Sequence, residues 1–298
     1  MELCINQKQI IMQILVTGAT GNLGNSVIET LLKNIPTQNI SALVREEEKI
    51  SEIKAKGINV FQGDYDNVSA LKSAMANVDT VLLISAGDQG DRMQQHRNVI
   101  DAAKKSGVEN IAYTSRAMRN RETLAHLLME EHFLTEDYIK ASGLNYTIFR
   151  NTLYMDVLPI FVGKQVFERG IFQPAGDGKV AFALRKEMGE AMANVLSNEG
   201  CENKTYKFTN NEAYSFYDIA KALTTLSGKE VKYHPVDIST FQERMRPTGI
   251  PEPMLQKVVE FNTDIKNGQE DEITNDLEKK LGRKPTTLKE GLKTLFEL

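Results

Sequence analysis

One stretch near the N-terminus, Ile14 to Gly24, restricts the fold more than any other part of the chain. The apolar run Ile14-Leu15-Val16 leads into Gly18, Gly21 and Gly24 at the spacing G-x-x-G-x-x-G. Asn25 to Leu32 follows with the pattern of a helix. Glycine triplets also occur in ordinary turns, so the context carries the weight: a strand before and a helix after. A turn with little side-chain bulk lets a pyrophosphate approach the backbone. The helix start then offers unpaired N–H groups and the positive end of its dipole. Thr17, Gly18, Thr20, Gly21, Asn22, Leu23 and Gly24 are therefore the candidate dinucleotide-phosphate residues.

The pattern continues as an alternation. Ile40–Val44, Asn59–Asp64, Thr80–Ser85, Ile111–Ser115 and Tyr146–Arg150 read as strands, the third a nearly continuous apolar run suited to burial on both faces. Helical spacing separates them over Glu46–Lys56, Asn67–Met75, Gln94–Ser106 and Leu124–Ala141. Such alternation predicts an α/β fold, a Rossmann-type doubly wound parallel sheet with helices on both faces. Residues 1–151 would form this domain, with 1–12 a flexible extension. Residues 152–298 would form a smaller lid or substrate domain, from which 185–210 packs back on the sheet. Within it, Val157–Phe161 and Gly170–Pro174 look irregular, and Phe161, Phe167 and Phe172 are read as core rather than as walls of a site.

Composition narrows the classes. At 298 residues, 41% hydrophobic and 26% charged, the chain is ordinary for a globular protein. A net charge of -4 argues against a nucleic-acid partner. The two cysteines, Cys4 and Cys201, have neither metal nor redox spacing, so no metal is expected and a reducing cytoplasm is the natural setting. The N-terminus does not resemble a secretory signal, and Met12 offers a second start besides Met1. No apolar run approaches the roughly 18 residues that span a bilayer. Monomer and homodimer are both compatible with the sequence.

Ligands of a doubly wound sheet lie beyond the carboxyl ends of its strands. The residues there are Gly18, Arg45, Asp64, Ser85 (followed by Ala86 and Gly87), Ser115 and Asn151. An acid after the second strand would grip the ribose hydroxyls and select NAD. This chain has Arg45, whose guanidinium suits a 2′-phosphate and favours NADPH over NADH. The alternative is a solvated arginine paired with Glu46 to Glu48. Asp64 could accept from the adenine amino group, or Gly63-Asp64 could be a turn.

Several short motifs together resemble the NmrA-like atypical short-chain dehydrogenase/reductases. They are Thr17 to Gly24, Leu43-Val44-Arg45, Gly63-Asp64-Tyr65, Ala112-Tyr113-Thr114-Ser115 and Phe149-Arg150-Asn151. Gln95 to Ile100, Ala175-Gly176-Asp177-Gly178, Ser227-Gly228-Lys229 and Pro285 to Glu290 extend the likeness to nearly the whole chain from Met12. Within the family it is most similar to bacterial NAD(P)H:quinone oxidoreductases and triphenylmethane reductases. The resemblance implies two domains, NADPH in the cleft and a small apolar aromatic or quinone substrate beside the nicotinamide. Ser115 matches the active-site serine position.

The wider superfamily's Tyr-x-x-x-Lys is absent; Leu128, His132 and Glu136 occupy the tyrosine, lysine and following glutamate slots. His132 is expected to bond the nicotinamide ribose, with Glu136, one helical turn on, orienting the imidazole. The alternative for His132 is a partly exposed helix histidine. Asn151 and Tyr154 could touch the carboxamide or the acceptor oxygen. Without the tyrosine and lysine, alcohol and sugar chemistry is disfavoured. Quinone or dye reduction needs little beyond positioning. The family also contains non-enzymatic NADP(H)-binding regulators, and that is the competing function.

Overall fold

The glycine stretch folds as strand, turn and helix. Strand β1 (Ile14–Val16) is wholly buried, Gly18 takes the left-handed conformation at φ 59°, and α1 runs over Asn22–Asn34. In the computed structural model the described residues are 12–87, 90–163, 165–198 and 200–298. Apart from Met12, the expected N-terminal extension lies outside them.

Strands β2 (Ile40–Val44), β3 (Asn59–Gln62), β4 (Thr80–Leu83), β5 (Asn110–Arg116) and β6 (Asn145–Asn151) follow. Between them lie α2 (Ile50–Lys54), α3 (Val68–Ala74), α4 (Arg92–Lys105) and α5 (Leu127–Ser142). The second half contributes β7 (Ile171–Gln173), β8 (Lys179–Val180), β9 (Lys204–Phe208), β10 (Tyr214–Ser215) and β11 (Tyr233–Pro235). The main sheet is parallel with the order β3-β2-β1-β4-β5-β6-β9. The chain starts in the middle, winds outward to β3, then returns to β4 beside β1. That reversal opens a crevice at the carboxyl ends of β1 and β4.

Both faces of the sheet are covered. Leu15, Val81, Leu83, Ile111 and Tyr113 pack with apolar residues of α3 to α5 on one side. On the other, Val16, Leu82 and Phe149 pack with α1 and helix Arg185–Leu196. A Cβ on Gly189 would stand 2.6 Å from that of Ser26, so this glycine is what lets the two helices touch. A separate apolar core joins Met155, Leu158, Phe182, Phe216, Leu223 and Leu292.

Two segments that look irregular in sequence are ordered. Leu158–Val162 is a short helix with Pro159 in its first turn, where proline costs no hydrogen bond. Ile171–Gln173 is β7, pairing in parallel with β11. Three residues are too few for alternation to announce a strand. No helix among the described residues is long and apolar enough to cross a membrane.

Candidate functional site

The turn after β1 meets the loop after β4 at the crevice. A Cβ on Gly18 would lie 3.1 Å from that of Ile84, and one on Gly24 would collide with the Gly18 carbonyl. Helix α1 has no side-chain cap and no acid in its first turn, so its leading N–H groups at Asn22 and Leu23 suit an anion such as pyrophosphate. Thr20, within the turn, donates to Glu46 Oε2 at 3.4 Å. The Thr17 hydroxyl is engaged inward: it lies 2.6 Å from the Tyr65 hydroxyl, which donates to the Ile84 carbonyl. Tyr65 thus fastens the β3 end to the turn, a role that Gly63-Asp64-Tyr65 as a motif does not disclose.

The Ser85-Ala86-Gly87 loop is fixed from three directions. Ser85 N donates to Thr114 Oγ1 (2.8 Å), Ala86 N donates to His96 Nε2 (2.9 Å), and Arg92 donates to Ser85 Oγ (2.7 Å). Because His96 Nε2 accepts, its proton is on Nδ1, which donates to Thr135 Oγ1; Thr135 in turn donates to the Glu131 carbonyl. Burial, and then the Arg92 charge, push His96 down to about 3. Gly87 is exposed and a Cβ there would meet nothing within 4 Å.

Alternation along β5 turns Tyr113 and Ser115 toward α5, where His132 and Glu136 share a face. His132 is 6% exposed. Its Nε2 accepts from Arg92 at 2.6 Å, so Nδ1 carries the proton and donates to the Tyr113 hydroxyl at 2.9 Å. Burial first, and the Arg92 charge second, hold its pKa well below the ordinary value. Burial also raises Tyr113, to about 12. His132 is therefore neither partly exposed nor open at either nitrogen.

Glu136 corrects the expectation set for it: it does not orient His132. Ser115 Oγ donates to Glu136 Oε1 (2.6 Å), and Arg150 clamps both oxygens through Nε (2.8 Å) and a terminal nitrogen (2.6 Å). The register of β5 with β6 sets Arg150 beside Ser115. A bidentate guanidinium binds a buried carboxylate more strongly than a neutral imidazole does. Arg92, His96, Tyr113 and Arg150 are bonded neighbours of the candidate residues that sequence spacing does not point to, although three of them lie within the family motifs quoted above.

At the far end of the crevice, Arg45 is exposed and paired. It donates to Glu46 Oε1 from a terminal nitrogen at 2.6 Å and from Nε at 3.0 Å. Asp64 takes part in a turn: its Oδ1 accepts from the backbone N–H groups of Asp66 and Asn67, at the entrance to α3.

At the end of β6, Asn151 is fully buried with Oδ1 unpartnered, while its Nδ2 donates to the Tyr154 hydroxyl at 3.4 Å. The adjoining Thr152 hydroxyl is also buried without a partner. Next to Asn151 in register, Arg116 pairs with Glu270, which the chain brings in from beyond helix Glu252–Lys266. That helix and the segment after it hold the β5–α5 connection: Asn120 N donates to Gln269 Oε1 (2.9 Å) and Ala125 N to Asp264 Oδ1 in the helix's last turn (2.7 Å).

Comparison with known proteins places this geometry. The chain is 37% identical to quinone oxidoreductase 2 of Escherichia coli over 286 residues, covering 96% of this chain and 99% of that protein. The solved structure of triphenylmethane reductase from Citrobacter sp. superimposes with a TM-score of 0.89 at 36% identity, covering 96% of this chain and all of that one. The NADPH complex of the Escherichia coli NADPH-dependent quinone oxidoreductase superimposes with a TM-score of 0.88 at 37% identity, covering 95% of this chain and all of that one. A model of the NmrA-like family matches residues 11–297, and the chain belongs to that family.

Proposed function

We propose that this protein is an NADPH-dependent reductase that transfers a hydride to a quinone or a similarly electron-poor aromatic, triphenylmethane-type dyes included. The observation that carries the reading is the state of the groups around the ends of β4, β5 and β6. His96 and His132 are neutral with both nitrogens bonded, and Glu136 is clamped by Arg150 and Ser115. Each of these three acid or base candidates is already bonded within the protein. Alcohol and sugar substrates need a proton taken from, or given to, a poorly acidic hydroxyl. A reduced quinone carries a phenolic oxygen with a pKa near about 10, which water can protonate.

Bound NADPH supplies the hydride. The turn from Thr17 to Gly24 would hold its pyrophosphate, and Arg45 its 2′-phosphate. Ser85, Ala86, Gly87 and Asn151 would border the nicotinamide, where the unpartnered Asn151 Oδ1 is suited to a carboxamide N–H. Tyr154, within reach of Asn151, would present its hydroxyl toward the acceptor. Ser115, His132 and Glu136 act as positioning residues that hold the end of β5 and, through Arg92, the β4 loop. Residues 1–151 carry the cofactor and 152–298 cover the acceptor, with 185–210 returned to the sheet. The names and full-length likeness of the relatives support the reading, and the cysteine content supports a cytoplasmic setting.

The test is steady-state oxidation of NADPH and NADH against a panel of quinones and cationic dyes. Acceptor-dependent turnover, faster with NADPH, is expected. NADPH binding without turnover across the panel would reject the enzyme and leave the NADP(H)-binding regulator.

A further inference from the structure

At the end of β2, the place where a doubly wound sheet meets the adenine ribose, the chain holds two opposed signals side by side. Arg45 is the cation that suits a 2′-phosphate. Glu46 is a carboxylate of the kind that grips unphosphorylated ribose hydroxyls. Its Oε1 takes both the terminal nitrogen (2.6 Å) and Nε (3.0 Å) of Arg45. Its Oε2 lies 3.4 Å from Thr20 Oγ1 in the glycine turn and 4.0 Å from Lys49 Nζ. One carboxylate therefore ties two cations to the phosphate-binding turn. Glu47 and Glu48 beside it are exposed.

We propose that Glu46 is a cofactor-specificity residue: its carboxylate occupies the anion site of Arg45, so that a 2′-phosphate must displace it whereas a free ribose 2′-hydroxyl can bond to it. This rests on the dinucleotide reading above and deepens it. The phosphorylated nucleotide gains the guanidinium only by breaking an existing charge-assisted pair, and it then stands next to the displaced carboxylate. The unphosphorylated nucleotide leaves the Arg45 pair intact and donates to Glu46. Preference for NADPH is consequently compressed, and NADH remains a usable donor.

The test is equilibrium titration of NADPH and NADH into the full chain and into the variants Glu46→Gln, Glu47→Gln and Arg45→Ala. Removing the carboxylate should tighten NADPH about tenfold, the effect of one like charge a few ångströms from a phosphate in partly screened surroundings. The same Glu46→Gln variant should weaken NADH about threefold or more, because a ribose hydroxyl loses its charged acceptor. Glu47→Gln should move the NADPH/NADH ratio less than twofold. An unchanged ratio in Glu46→Gln, or an equal change in Glu47→Gln, overturns the inference and leaves the cofactor reading standing. A wild-type protein that binds neither nucleotide overturns the cofactor reading, and this inference with it. Circular dichroism of each variant guards against misfolding, and the site is exposed enough that all three should fold.

Discussion

Two ion pairs of the same chemical kind stand near opposite ends of the dinucleotide crevice and do different things. Arg45 and Glu46 are adjacent in sequence, with side chains 65% and 25% exposed. Arg116 and Glu270 are far apart in sequence and almost without exposure, at 9% and 0%. A pair in water contributes about 0–1 kcal/mol, because solvent and salt screen it. Breaking a buried pair from one side costs about 3–5 kcal/mol, because the remaining charge is stranded. The first is a contact that a ligand can exchange for its own charge. The second joins the C-terminal segment to the end of β5 and keeps the strand ends aligned. Burial raises the pKa of Glu270 while Arg116, and to a lesser extent a backbone hydrogen bond from Leu153, oppose that rise, so the carboxylate depends chiefly on Arg116.

The largest effect should come from breaking the buried pair. Glu270→Ala removes the hydrogen-bonded partner of buried Arg116 and is expected to cost about 3–5 kcal/mol in urea unfolding. Replacing both partners together, Arg116→Met with Glu270→Leu, should recover most of that loss. A Glu270→Ala protein within 1 kcal/mol of wild type on the same measurement would show that this pair is no stronger than the exposed one.

A smaller effect, about 2 kcal/mol between pH 6.5 and 5, belongs to the buried cluster around Arg92. His96 is pushed down to about 3 from its ordinary value, so the unfolded chain takes up a proton that the folded chain refuses. Stability from this group is fully present above about pH 6.5 and is lost as pH falls toward 3, at about 1.4 kcal/mol per pH unit. Subtracting the unfolding free energy of His96→Gln from that of wild type at each pH isolates the histidine from every other titrating group. A difference that stays constant between pH 6.5 and 5 would mean that the imidazole is charged in the folded protein.

The parallel sheet was legible because each strand carries its own signal, an apolar run bounded by a helix with its own period. The glycine turn was legible because its spacing acts locally. Partner choice across the fold was not. Helix spacing alone puts Glu136 against His132, but the register of β5 with β6 delivers Arg150 to Glu136 first. Arg92 reaches His132 across 40 positions, and Arg116 reaches Glu270 across 154. No periodicity relates residues so far apart. The end of β2 is the instructive exception: Arg45 and Glu46 are neighbours, so their competition is visible in sequence, and the structure adds the link to Thr20.

The smallest expected effect completes the contrast. If the Arg45–Glu46 pair serves ligand choice and not folding, Glu46→Gln should change unfolding free energy by less than about 0.5 kcal/mol while shifting nucleotide preference. Neither side chain is buried, and either is solvated when the other is removed. Raising the salt concentration in the wild-type protein should then change the NADPH/NADH affinity ratio, since only NADPH places a further anion beside Arg45 and the displaced carboxylate. A Glu46→Gln protein destabilised by as much as Glu270→Ala would erase the distinction between the two pairs. The carboxylate would then have to be holding the glycine turn in place through Thr20, not competing for Arg45.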